Sequence, residues 1–394
     1  MGTIDVVDGS GRRLPARGPD NRPTKAPPGA RYRARWRTPD GGSRTKTFAR
    51  KIDAQQFLAS VSHRKATGEY IDLNGGRILF GDYARQWMAN QPHRASTTQS
   101  VESMMRVHIL PTFERMPLGQ VRPSHVQAWV TAIAQVLAPS TTSVVYGKVA
   151  AIFRSAVEDR LIAHSPCGRK IRLPRSSGGE VVPMTAAQVR AMVEYVPDRY
   201  AAFVVLLAGS GLRPSEALGL TVDRIDFLRR TIRVDRQLIT LAGHVPELAP
   251  PKTPASVRTI PVPQPVLDVL AAHLDRYAPA DPLRLIFTDS KRDPIRRNAM
   301  GHFWRRALAA ANEAGAPVGE FTPHDLRHYA ASVLIEQGAS VKAVQRHLGH
   351  ASATTTLDTY AHLWPDSEDT TRRALEVGLV GVVSSLCHED AAAN

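Results

Sequence analysis

The chain holds 394 residues, 43% hydrophobic and 22% charged, more than one core usually spans and too apolar for a chain that stays unfolded, so two to three domains are expected. No apolar stretch approaches the roughly 20 residues of a membrane-spanning helix, and the polar opening at residues 1–20 is unlike a signal peptide, which predicts a soluble, cytoplasmic protein with no membrane partner. The 51 Lys and Arg against 36 Asp and Glu give a formal charge of +15, and that sign points to a polyanion such as nucleic acid or an acidic membrane surface.

The excess is unevenly placed: residues 1–70 hold 15 basic and 6 acidic side chains, 71–180 hold 13 and 7, and 181–394 hold 23 of each. It belongs wholly to the N-terminal half. Cys167 and Cys387 lie far apart and match no metal-ligand spacing, so both read as reduced thiols.

Residues 1–29 are rich in Gly, Pro and Arg without hydrophobic periodicity, and are expected to stay mobile until a partner orders them. Arg31-Tyr32-Arg33-Ala34-Arg35-Trp36-Arg37 then alternates strictly, which on a strand sets four arginines on one face and Tyr32, Ala34 and Trp36 on the other. Pro39-Asp40-Gly41-Gly42 predicts a turn, and residues 43–48 a returning strand that brings Arg44 and Lys46 back to complete one cationic face. A helix over 52–64 covers the apolar side with Phe57, Leu58 and Val61.

After the link Asn74-Gly75-Gly76, helices are predicted at 80–90, 97–109, 123–136 and 140–159, capped by Ser96, Ser124 and Ser140. Residues 169–179 read as a linker and a domain boundary. Helical pattern resumes at Val181, with Thr185 capping 186–196 and an apolar run at 203–208. Between 222 and 263 it switches to strand-like alternation, notably 231–234 and 256–262, and then returns to helix.

Three clusters in this last region carry chemistry. In Gly211-Leu212-Arg213-Pro214-Ser215-Glu216, Pro214 suits a first helical turn and sets Arg213 at its anion-favouring N-terminus, with Glu216 three residues on to orient the guanidinium. In Pro323-His324-Asp325-Leu326-Arg327-His328, His324 and Arg327 share a helix face. Beyond Gln345-Arg346-His347-Leu348-Gly349-His350, ten residues on, stands Tyr360. Each has a plainer reading: Arg-Pro-x-Glu is also a common cap with a surface ion pair. His324, His328, His347 and His350 invite a zinc site, against which stand the missing acidic and cysteine ligands and the Arg or Gly beside each histidine.

Taken in order, Arg213, His324-x-x-Arg327, Leu348-Gly349-His350 and Tyr360 resemble the active-site boxes of the tyrosine recombinases, or phage integrase family. Lys252, in Pro251-Lys252-Thr253, resembles that family's hairpin lysine, and Glu216 its usual acidic position. Tyr329, where Thr is common, and Ala353, where a larger apolar residue is usual, depart from the pattern and bear on packing rather than chemistry. The resemblance implies a multidomain, mainly α fold with small β-sheets: an arm-type DNA-binding module at 1–70, a helical, SAM-like core-binding domain at 77–172, and a mixed α/β catalytic domain at 181–394 whose segment 372–386 packs on a neighbouring protomer. It implies a phage-type site-specific recombinase acting on arm and core attachment sites in double-stranded DNA. The enzyme would work as a homotetramer through a Holliday junction at the bacterial nucleoid, without a cofactor or metal, with a DNA-bending host factor and an excisionase as further candidate partners.

The residues suit that chemistry. Cutting and rejoining DNA without an energy source requires the phosphodiester's energy to be kept in a covalent link, for which a phenol is a suitable nucleophile and leaving group. Tyr360 would attack the scissile phosphate, leaving a 3′-phosphotyrosine and a 5′-hydroxyl. Arg213 and Arg327 would hold the charge gathering on the non-bridging oxygens, and Lys252, on a mobile hairpin, would protonate the leaving oxygen. His324 would assist deprotonation of Tyr360 or hold a phosphate oxygen, His350 would bond the same phosphate, and Glu216 would orient its neighbours. Lys252 also reads as a solvated hairpin charge, His328 as a packed residue outside the catalytic set, and Tyr329 as a core tyrosine.

The face of Arg31, Arg33, Arg35, Arg37, Arg44 and Lys46 would straddle DNA phosphates, the alternative being an edge strand protected by its charge. A conjugative-transposon integrase shares the chemistry. So does an Xer-like resolvase, disfavoured by the extra module at 1–70. A non-catalytic DNA-binding architectural protein on this fold is opposed by the complete set of seven active-site residues.

Overall fold

The alternation at residues 31–37 folds as the central strand of a three-stranded antiparallel sheet, β1 (Thr3–Val7), β2 (Arg31–Arg37) and β3 (Ser43–Phe48), in that order. The structure, a computed structural model, describes residues 2–14, 28–37, 41–66, 75–175, 180–279, 282–316, 318–364, 372–373 and 375–379. It divides into two units, Met1–Ser177 and Gly178–Asn394.

Strand β1 departs from the expectation of mobility over residues 1–29. Ile4 pairs with Ala34 and Val6 with Tyr32, so two apolar side chains too few to show a period still find the apolar side of β2. The Leu14 amide closes the following loop on the Val6 carbonyl at 2.8 Å. Residues 15–27 lie outside the described ones.

Register moves two of the six cations. Across the β2–β3 ladder Trp36 pairs with Arg44 and Ala34 with Lys46, and directly opposed residues share a face. Arg44 and Lys46 therefore lie on the side of Trp36, not with the arginine stripe, and the single six-cation face is corrected to Arg31, Arg33, Arg35 and Arg37. Period-two alternation assigns faces within a strand, but the pairing between strands is set by register. Helix α1 (Lys51–Ala66) packs on that apolar side, with the Phe57 ring edge-on to Trp36 at 5.0 Å and Leu58 and Val61 beside it. Lys46 Nζ stands 4.9 Å from the Phe57 ring centre, a cation–π contact that explains a charge on this face.

The helical part of this unit comprises α2 (Phe80–Ala89), α3 (Ala95–Met104) running through a π turn at Met105–Ile109 into α4 (Leu110–Phe113), then α5 (Pro123–Ile133) and α6 (Pro139–Glu158). Phe80, Phe113, Trp129 and Phe153 form its core. The expected serine caps are corrected: Pro123 and Pro139, with φ preset for a first turn, start α5 and α6, so the N-caps are Arg122 and Ala138. Arg94 takes the place expected for Ser96.

In the second unit Thr185 caps α7 (Ala186–Tyr195) reciprocally with Gln188, as S/T-x-x-E/Q spacing dictates. There follow α8 (Asp198–Ser210), α9 (Pro214–Leu218), β4 (Ile225–Asp226), β5 (Thr231–Val234), β6 (Gln237–Ile239), β7 (Glu247–Ala249) and β8 (Arg258–Pro261). Strands β4, β5 and β8 form one antiparallel sheet in that order, and β6 and β7 a hairpin. Helices α10 (Gln264–Arg276), α11 (Arg297–Glu313), α12 (Asp325–Glu336), α13 (Val341–Leu348) and α14 (Ala353–Tyr360) complete it. Phe203, Leu206, Ile232, Ile260, Phe287 and Trp304 share its core.

The whole is multidomain and mainly α with small sheets, as expected. Of the tail expected at 372–386, the described residues 372–373 and 375–379 are exposed helix, Val377 at 72%, and 380–386 lie outside the described residues. Among the described residues no helix is long and apolar enough to cross a membrane.

Candidate active site

Pro214 begins α9, which leaves Arg213 in extended conformation at the N-cap. Glu216 reaches back from the third helical position: one carboxylate oxygen accepts from the Arg213 amide at 3.0 Å and the other from Arg213 Nη1 at 2.8 Å. The same carboxylate is held from β8 by Arg258, at 3.1 and 3.3 Å. Burial alone would raise the Glu216 pKa, but the Arg258 guanidinium, the Arg213 amide and the Arg213 charge outweigh it, and the carboxyl lies below its ordinary value. Arg258 also donates through Nε to the His347 carbonyl at 2.7 Å and through Nη1 to that of Ser256 at 2.9 Å. One side chain thus ties together β8, α9 and the end of α13.

Two left-handed glycines present carbonyls to two arginines. Gly211 ends α8 at φ 62° and Gly349 ends α13 at φ 69°, conformations that L side chains rarely adopt. The Gly211 carbonyl accepts from Arg327 Nη1 at 2.7 Å and the Gly349 carbonyl from Arg213 Nη2 at 3.4 Å. A Cβ on Gly349 would stand 3.0 Å from Arg258 Nη1, so a side chain there would push on the arginine that holds Glu216. Arg327, 2% exposed, spends its other terminal nitrogen on the Leu348 carbonyl at 2.7 Å. Burial and the nearby Arg213 push its pKa down to about 9, still protonated at neutral pH.

Tyr360 ends α14, 1% exposed, packed among Ala331, Ile335, Val344 and Leu348. Its hydroxyl lies 2.8 Å from His328 Nδ1. The His328 ring meets that of His324 edge-on at 5.2 Å, and the His350 ring lies parallel to Tyr360 at 6.4 Å. His350 Nδ1 is 2.9 Å from the buried Thr356 hydroxyl, which fixes the ring from the turn of helix that leads to Tyr360. Partial enclosure, then the charges of His328 and Arg327, hold His324 down to about 4, and enclosure followed by Arg327, Arg213 and Arg258 does the same for His350. Both are therefore neutral at pH 7. Burial raises the Tyr360 phenol above its ordinary value, Arg327 opposing.

Of the residues singled out from sequence, Arg213, Glu216, His324, Arg327, His350 and Tyr360 fall in one cluster. Lys252 is exposed, between β7 and the turn Pro254–Ser256, whose buried Ser256 hydroxyl is 3.4 Å from Arg213 Nη1. The N-terminal arginines belong to the other unit. Two residues of this cluster were missed or set aside. Arg258 carried no signal beyond strand alternation, and His328, read as packing, bonds the hydroxyl of Tyr360.

The phage integrase family model matches residues 183–366, and that of the phage integrase central domain matches 80–170. The prophage phiRv2 integrase of Mycobacterium tuberculosis is 29% identical over 329 residues, 82% of this chain and 86% of that protein. The Tn1549 transposon integrase, solved in complex with a circular intermediate DNA, superposes with a TM-score of 0.67 at 24% identity, over 77% of this chain and 99% of that one. The lambda integrase tetramer bound to a Holliday junction gives 0.55 at 15% identity, over 82% and 94%. These two are likenesses of fold.

Proposed function

The chain belongs to the phage integrase family, the tyrosine recombinases that cleave and religate DNA at specific sites, and we propose that Tyr360 is its nucleophile and that Arg213, Lys252, His324, Arg327 and His350 act with it on one phosphodiester. The observation that carries this reading is the convergence of two guanidiniums and two neutral imidazoles beside the Tyr360 phenol. Arg213 and Arg327 hold the non-bridging oxygens as charge develops there, where preorganised donors are worth most. A neutral His350 and His324 each keep an N–H to donate to the same phosphate without adding charge of their own. Lys252, on the segment that reaches Arg213 through Ser256, protonates the leaving 5′-oxygen, and Glu216 keeps the Arg213 fork aimed.

Strand exchange between two duplexes needs four such sites, and the shared fold with the lambda integrase tetramer on a Holliday junction supports a homotetramer here. The stripe of Arg31, Arg33, Arg35 and Arg37 serves a second, arm-type DNA site. The fold likeness to the Tn1549 integrase keeps a conjugative-transposon element as the second reading, with identical chemistry.

Covalent capture tests the assignment. The protein is incubated with fragmented DNA of its source genome in EDTA, denatured in detergent, and the attached DNA sequenced, with Tyr360→Phe as the control. Adducts at one site that vanish in the variant are expected. If both proteins bind DNA equally and neither leaves an adduct, a non-catalytic architectural role replaces this reading.

A further inference from the structure

A phenol buried to 1% exposure must place its O–H on an acceptor, and the acceptor at Tyr360 is His328 Nδ1 at 2.8 Å. His324, for which the sequence left open deprotonation of Tyr360 or a hold on a phosphate oxygen, is exposed at the N-cap of α12, next to Arg327 and Arg213. It is placed for a phosphate oxygen rather than for the phenol. We propose that His328 is a catalytic residue of strand cleavage, the general base that takes the Tyr360 proton.

In the Nε2–H tautomer, Nδ1 carries the free lone pair facing the hydroxyl. As the bond from Tyr360 Oη to the scissile phosphorus forms, the P–O5′ bond breaks, the phenolic proton passes to Nδ1, and the 5′-oxygen takes a proton from Lys252. In religation the 5′-hydroxyl attacks and returns its proton to the Lys252 amine, while Oη leaves and recovers its proton from the His328 imidazolium. One residue therefore serves both directions, as an isoenergetic exchange of phosphodiesters requires. The groups facing His328 are Asp325 and Arg327 on its own helix, His324 at the cap and Tyr360 from α14. Burial first, with Arg327, keeps the ring below the ordinary histidine value of 6.5, and Asp325 opposes them while favouring the transient imidazolium.

This inference rests on Tyr360 being the nucleophile, and the test separates the two. Single-turnover formation of the covalent complex is followed from pH 5 to 9 on a nicked duplex bearing the site recovered by capture, with the adduct mapped by peptide sequencing. Wild type should slow at the acid end as His328 protonates. His328→Gln, which keeps an acceptor but cannot take the proton, should be about 10²-fold slower at pH 7, lose the acid limb and still bind the duplex. His328→Ala should behave alike and recover in part with added imidazole. His324→Gln should slow cleavage at every pH and keep the limb. A His328→Gln enzyme within threefold of wild type and with an unchanged profile overturns the inference while leaving the nucleophile intact. An adduct that maps to another residue, or survives Tyr360→Phe, overturns the reading beneath it. Should His328→Ala not fold, the glutamine variant decides alone.

Discussion

Arg258 and Glu216 form a buried ion pair across two elements, Nη2 to Oε2 at 3.1 Å, with side chains 7% and 2% exposed. Every nitrogen of this guanidinium has an acceptor, two of them the carbonyls of His347 and Ser256. Removing one partner strands the other charge in the interior, which typically costs about 3–5 kcal/mol, whereas replacing both with apolar side chains of similar volume is far milder. Arg258→Met and Glu216→Leu are each expected to destabilise the second unit by that amount, and the double variant by much less than their sum. Hydrogen exchange of the full chain in denaturant reports this unit separately. Additive losses would show that the pair is not coupled.

Acid should reveal the same carboxylate. The Glu216 pKa lies below its ordinary 4.5 because Arg258 and Arg213 outweigh the cost of burial. A group whose folded pKa is depressed contributes stability that is complete above the unfolded value and is lost as pH falls through the folded one. The melting temperature of wild type should exceed that of Glu216→Gln by a constant margin from pH 7 to about 5, and the margin should shrink below pH 4.5. A margin that stays constant to pH 3 contradicts the assignment of the charged form.

Arg327 spans two carbonyls on different segments, Gly211 and Leu348, both at 2.7 Å. A lysine keeps the charge but offers one compact ammonium that cannot fork between them. Arg327→Lys is expected to lower cleavage by about 10²–10³-fold and also the melting temperature, with the salt dependence of DNA binding unchanged. Equal cleavage by the lysine variant would mean that charge alone is needed there.

What the sequence made legible at this site were the residues whose spacing is tied to local structure. Arg213 before Pro214, Glu216 one turn on, and His324 with Arg327 are all set by the starts of helices, and helix starts are written in a few adjacent residues. Arg258 and His328 escaped because their roles depend on contacts far along the chain, 42 positions for Arg258 with Glu216 and 32 for His328 with Tyr360. Nothing local distinguishes a strand arginine that reaches a buried carboxylate from one that faces water. The N-terminal sheet failed for the same reason: alternation gave the faces of β2 correctly, while the partner across the ladder decided where Arg44 and Lys46 went.

That register also sharpens what can be asked of the N-terminal stripe. Arg33 is engaged by the Gly11 carbonyl and lies opposite Asp5, which pairs with Arg13 at 3.0 Å and with Arg35 at 4.0 Å, so part of the stripe's charge is already answered within the sheet. Arg31, Arg35 and Arg37 are exposed on that face. Each phosphate neutralised releases counterion and adds about 0.9 to the slope of log K against log salt. Replacing Arg31, Arg35 and Arg37 together with alanine is expected to reduce the slope for arm-type DNA by about 2.7. Lys46→Met, which keeps the aliphatic stem on Phe57 and Phe48 while removing a charge on the opposite side, should leave it unchanged. Titrations of the full chain from low to moderate salt measure both. An unchanged slope in the triple variant would mean that the stripe does not meet DNA, since β2 is paired on both sides and has no edge to guard, and a drop with Lys46→Met would mean that DNA meets the other face.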